Sequence, residues 1–194
     1  MQDPHAPPLH GSLPPEGARS ALGRPGGRTP IKYFWEDLAV NEVRDLGSIT
    51  PTAEEIVAFA SQFDPQPFHL DPEAAKDSVF GALCASGWHT CAMAMRLMVT
   101  NFLHETSSLG SPGLDSLKWL KPVYPGDTLS LRHTITEKRV MAKRPDVGLV
   151  RTTWEMFNQH GDPVLRMEGY GMFRLRNPEP PRSAAAPVAA PRGG

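Results

Sequence analysis

Three features of the sequence predict an α+β fold. From Leu114 onward, apolar residues recur with period two in four segments separated by turn sequences. Gly87 to about Leu103 reads as one long, apolar helix, and a shorter, well-capped helix precedes it. Strands in succession with short links favour an antiparallel meander, and a lone apolar helix must be covered by it. The predicted architecture is a sheet curled around a single helix.

Each element has its own justification. Residues 33–38 and 43–49 carry spaced apolar positions (Tyr33, Trp35, Val43, Ile49) and are predicted to be extended. Thr52 followed by Glu55 forms a capping-box pattern, so a helix starts after Thr52. Ile56, Val57, Phe59, Ala60 and Phe63 give that helix an apolar face. Asp71 is placed to cap a further short helix that has Pro72 at its first position. In the long helix, Trp88, Met95, Met98, Val99 and Phe102 form a stripe, and Trp88, Met95, Met98 and Phe102 are assigned to the core. Arg96 is expected to be buried there, paired with a carboxylate such as Asp64 or Asp71 or capping strand carbonyls, and a structural ion pair is favoured over a ligand contact. The four strand segments are "LDSLKWLKPV", "DTLSLRHTITEKRV", "GLVRTTWEMFNQ" and "PVLRMEGYGMFRLR". The alternation Leu129, Leu131, His133, Ile135 buries one face only, and "YPGD" and "NQHGD" are turns.

Composition sets the limits. The chain has 194 residues, 21 of them proline and 17 glycine, and the excess is concentrated at its ends. Residues 1–30 and 178–194 hold too little apolar surface to offset ordering and are expected to be disordered. One domain is expected over residues 31–177. A formal charge of −1 without a basic block argues against nucleic acid as a partner. The apolar stretch 79–99 contains His89 and Arg96, so a buried helix is favoured over a membrane span. Cys84 and Cys91 sit too far apart along one segment to bond, and free thiols suit a cytoplasmic protein. Lys138, Arg139, Lys143 and Arg144 cluster around a predicted hairpin and are read as a solvated group.

The stretch most suggestive of chemistry is "FDPQPFHLDP", residues 63–72. Asp64 and His69 are an acid and an imidazole separated by a segment stiffened by Pro65 and Pro67, a combination suited to moving protons. An Asx-type turn beside a packed histidine explains the same residues. No CxxC or HxxxH spacing is present, so no metal is expected. In "ASGWHT" (85–90), Gly87 opens the long helix, where unpaired amide N–H groups can meet a developing oxyanion. A tight entry of the helix into the sheet explains Gly87 equally.

The motif "DPQPFH", continued by "HLDPEAA", "ASGWHT" and "LKWLKPVYPGDTL", is similar to the MaoC-like hydratases, the (R)-specific enoyl-CoA hydratase group with the hot-dog fold. The resemblance runs from about Tyr33 to Arg176. It implies a long helix wrapped by a curved antiparallel sheet, with protomers paired as a homodimer or larger homo-oligomer. It also implies an acyl-CoA substrate, a trans-2-enoyl thioester hydrated to a (R)-3-hydroxyacyl-CoA, with no metal and no cofactor beyond the coenzyme A of the substrate. In that scheme Asp64 and His69 activate water and the Gly87 amide holds the thioester oxygen. Gln66, Ser86 and Trp88 contact the substrate. Gln66 stands where the family usually has asparagine, and Ser86 where many members have histidine. Two alternatives stay open: an acyl-CoA thioesterase, and a non-catalytic acyl-thioester-binding hot-dog protein.

Overall fold

The computed structural model describes residues 30–178. The two arms expected to be disordered lie outside the described residues, apart from Pro30 and Pro178. Five strands form one antiparallel sheet: β1 (Val43–Ile49), β2 (Ser108–Trp119), β3 (Leu129–Met141), β4 (Arg144–Phe157) and β5 (Pro163–Arg174), in the order β1-β3-β4-β5-β2. Four helices lie between β1 and β2: α1 (Ala53–Phe63), α2 (Pro67–Leu70), α3 (Pro72–Lys76) and α4 (Gly87–Asn101). This is the hot-dog arrangement: α4 is the filling, and the sheet wraps it.

The predicted strand alternation is realised on β3, where Leu129, Leu131, His133 and Ile135 are all buried. Leu129, Leu131 and Ile135 meet Met93, Ala94, Leu97 and Met98 of α4 in a single core with Val150, Met156, Leu165 and Phe173. Both turn sequences bend where predicted, with Gly126 at φ +86° and Gly161 at φ +79°. On β1 the pairing with β3 slips between Asp45 and Ser48, with Gly47 at φ +82° between them. The side-chain amide of Asn101 donates to the Leu46 carbonyl at 2.8 Å, so the end of α4 is tied to this irregularity.

Three expectations need correction. Residues 33–38 do not form a strand: Tyr33 makes one isolated bridge to Thr106, and Trp35–Asp37 is a 3-10 turn. The Asp37 carboxylate closes that turn by accepting from the Phe34 N–H at 2.8 Å. The Trp35 indole packs on Gly148, where a Cβ would lie 2.0 Å from the ring. In α4 the inward face is Thr90, Met93, Ala94, Leu97 and Met98, so the expected stripe faces the core only in part. Met98 and Phe102 are buried, but Trp88, Met95 and Val99 are exposed. Arg96 is exposed as well, because it shares the outward side of α4 with Ala92 and Val99, and water solvates its charge. The basic group at the β3–β4 hairpin is solvated as expected, with Arg139, Lys143 and Arg144 exposed; Arg144 bonds Asp146, and Lys138 lies 4.3 Å from the Trp35 ring centroid.

Candidate active site

Helix α1 delivers Asp64. The predicted capping box is present, with Glu55 N–H donating to Thr52 Oγ1 and Thr52 N–H donating to Glu55 Oε2. At the other end Asp64 is the C-cap, its N–H bonded to the Ala60 carbonyl at 2.9 Å. Pro65 prevents the helix from continuing, and Pro67 begins the one-turn helix α2 that carries His69. The segment read as a stiff loop is therefore two helix ends joined by a proline-bounded link, which fixes the acid relative to the imidazole.

The imidazole is buried and Nδ1 lies 2.7 Å from the carbonyl oxygen of Cys84. A carbonyl only accepts, so Nδ1 carries the proton and the neutral ring presents a lone pair at Nε2. That Nε2 lies 3.5 Å from Asp64 Oδ2. Asp64 is held from two further sides. Ser86 Oγ donates to Oδ2 at 2.7 Å, and Gln66 Nε2 donates to Oδ1 at 2.8 Å. The Ser86 hydrogen bond holds the Asp64 carboxyl below its ordinary value; burial opposes it, and the Gln66 hydrogen bond acts with Ser86. Gln66 thus reaches the aspartate despite its extra methylene.

Ser86 has a second task. Its Oγ accepts from the Trp88 N–H at 3.2 Å as the N-cap of α4, so one hydroxyl joins the acid to the start of the central helix. Gly87 follows at the first helical position, where its N–H has no intrahelical acceptor. Its lack of a side chain has a packing cause: a Cβ would stand 2.5 Å from the Trp119 indole. Trp119 in turn meets Trp88 edge to face, with ring centroids 5.3 Å apart. All six residues singled out by sequence, Asp64, Gln66, His69, Ser86, Gly87 and Trp88, line one cavity of about 500 Å³.

Three contributors carried no sequence signal of their own. Cys84 acts through its main-chain oxygen, while burial pushes its thiol up to about 11 and keeps it protonated. Trp119 arrives from β2 to cover Gly87. Tyr124 donates its hydroxyl to the Phe80 carbonyl at 2.9 Å and fixes the segment whose ring stacks near His69. Both cysteines are free. Among the described residues, no group of three or more His, Cys, Asp or Glu side chains is arranged to hold a metal ion, and no helix is long and apolar enough to cross a membrane.

The chemistry available here is proton transfer to and from water: an ionised carboxylate and an imidazole lone pair converge on a cavity at a helix N-terminus. Similarity to known proteins points the same way. A crystallised MaoC-like dehydratase from Rhodospirillum rubrum is 41% identical, superimposes with a TM-score of 0.70, and is matched over 75% of this chain and 99% of its own. The (R)-hydratase from A. caviae involved in PHA biosynthesis is 25% identical with a TM-score of 0.57, matched over 70% of this chain and 97% of its own. YdeM of Bacillus subtilis (strain 168), an uncharacterized protein, is 27% identical over 124 residues, 64% of this chain and 86% of that protein. The model of the MaoC like domain matches residues 38–155, more than half of the chain and all of the acid–imidazole site: the chain belongs to the MaoC-like dehydratase family.

Proposed function

We propose that this protein is a hydro-lyase that adds water reversibly to a trans-2-enoyl thioester of coenzyme A and forms a (R)-3-hydroxyacyl-CoA. The observation that carries the reading is the approach of His69 Nε2 to Asp64 Oδ2 at 3.5 Å, with Nδ1 already committed to Cys84. A water held between the two has its oxygen aimed by the carboxylate and one proton taken by the imidazole. The oxygen bonds to the β-carbon of the enoyl group, and the π electrons pass through the α-carbon to the thioester oxygen. The Gly87 N–H, at the positive end of α4, stabilises that oxygen as it becomes enolate-like. A proton then returns to the α-carbon, and the net change is one water added. The balance requires no metal and no organic cofactor other than the coenzyme A of the substrate.

Ser86 and Gln66 keep the carboxylate ionised and oriented, and Trp88 stands where the acyl group enters. The reading includes a homodimer in the cytoplasm. Loss of enoyl absorbance with crotonyl-, octenoyl- and branched enoyl-CoA tests the reaction. Asp64→Asn and His69→Ala are each expected to lower kcat by about 10²–10⁴-fold, the range of general acid–base catalysis, with the fold intact. Full activity in both variants overturns the assignment. Release of free thiol without hydration would indicate a thioesterase.

A further inference from the structure

A second cavity takes no part in the proton transfers above. It is a groove of about 390 Å³ between α4 and the sheet, bordered on the helix by Trp88, Cys91, Met95, Met98 and Phe102. From Trp88 to Phe102 the helix rises about 21 Å, at ~1.5 Å per residue. Trp88 also walls the cavity around Asp64, so the groove leads away from the site along the helix. Its lining is apolar almost throughout, which suits an acyl chain.

The far end differs. His133 of β3 lines the groove there, 2% exposed, with its ring centroid 5.3 Å from that of Phe102. Its Nδ1 is buried without a hydrogen-bond partner. Thr152 lines the same end, and its Oγ1 accepts from Trp154 Nε1 at 2.9 Å, which leaves the hydroxyl proton for another acceptor. An imidazole nitrogen left unpaired in an apolar wall is destabilising unless something bonds it. Arg44, opposite His133 in the β1–β3 register, pairs with Glu42 and lies over the Phe102 ring at 4.6 Å. Burial, reinforced by Arg44, keeps the imidazole neutral down to about pH 4. A neutral ring offers one donor and one acceptor. It matches a neutral oxygen, whereas a carboxylate would bring an unpaired charge into an apolar groove.

The geometry points to His133 as a specificity residue that hydrogen-bonds a hydroxyl or keto oxygen carried on the distal half of the substrate's acyl chain. This rests on the acyl-thioester reading and names its substrate class: long-chain acyl-CoA esters oxygenated far from the thioester.

The test is calorimetric binding of palmitoyl-CoA to the full chain, against palmitoyl-CoA esters bearing one hydroxyl or ketone moved along the distal half. At least one oxygenated ester is expected to bind about tenfold tighter than the plain one, because only it pairs the buried nitrogen. His133→Phe is expected to abolish that preference, and His133→Gln, which keeps a donor and an acceptor, to retain part of it. The inference is overturned if no oxygenated ester binds better to the wild type, which includes the case of a groove filled by a second copy so that neither enters. A preference that survives in His133→Phe overturns it too. If His133→Phe does not fold, the wild-type series decides. Hydration of the matching enoyl-CoA esters is measured in parallel: binding preference without hydration sinks the hydratase reading alone, and hydration without preference sinks this inference alone.

Discussion

Asp64 is defined by what donates to it. Ser86 supplies the strongest of the interactions that lower its pKa, so removing that hydroxyl moves the carboxyl titration upward. Ser86→Ala is expected to show this in the ¹³C shift of the Asp64 carboxyl against pH, and to cost about 1 kcal/mol of stability through the lost cap. An unmoved titration would mean that the Gln66 hydrogen bond holds the charge without it. His133 gives a second pH effect. Burial, then Arg44, lowers its pKa from 6.5 to about 4 in the folded chain. Between those values the unfolded state binds the proton and the native state does not, so stability falls as pH drops through that window. The slope from this group is at most ~1.4 kcal/mol per pH unit. His89 is shifted downward by burial as well, so the contribution is isolated by difference. Urea unfolding from pH 7 to 4 should show His133→Phe losing less stability than the wild type. At this scale the sequence was informative about side chains and silent about main chain. Asp64 and His69 stand out because a stiff acid–imidazole pair is uncommon, but nothing in a cysteine codon forecasts that the Cys84 carbonyl selects the imidazole tautomer.

The elements were legible where a local rule governs them. Thr52 and Glu55 announce α1, Pro72 announces α3, and period two announces β3, because capping and pleating are decided within a few residues. Two misreadings share a cause: apolar residues were counted without knowing what faces them. Tyr33 and Trp35 alternate like a strand, yet Asp37 turns the chain and the indole of Trp35 settles on Gly148. Helix α4 is apolar on more than one side, so periodicity alone could not separate the buried Met93 and Leu97 from the exposed Trp88 and Met95. The Trp35–Gly148 contact yields a prediction that belongs to the elements. A methyl group at position 148 would meet the indole at 2.0–2.3 Å, and the Trp35 Nε1 bond to the Leu149 carbonyl, 3.2 Å, resists its displacement. Gly148→Ala is expected to destabilise the fold by about 1–3 kcal/mol, measured as a lower urea midpoint. Hydration per folded molecule should not change, since the contact lies away from Asp64.

For the whole molecule, the question is what covers the side of the sheet and of α4 that water now meets. Strand β2 pairs with β5 along one edge only, and its register breaks three times, between Ser108 and Gly110, Gly110 and Gly113, and Leu114 and Ser116. Leu114 is 50% exposed and Trp119 48%, and on α4 Trp88 is 58% exposed and Met95 45%. Leu114, Trp88 and Met95 border one groove, so these surfaces adjoin. An edge strand beside exposed apolar side chains is the arrangement that a second copy, related by a two-fold axis, covers in both molecules at once. A formal charge of −1 offers little repulsion against it. Sedimentation at micromolar concentration is therefore expected to give about twice the 21.2 kDa of one chain. Leu114→Lys places a charge at the joint and should yield a folded monomer, checked by far-UV circular dichroism. If the neighbouring copy also closes the space beside Trp88, hydration should fall in that monomer although Asp64 and His69 are untouched, and should recover at concentrations that restore the pair. A wild-type chain that sediments as a single copy would remove the dimer, and the exposed tryptophans would then need a different partner.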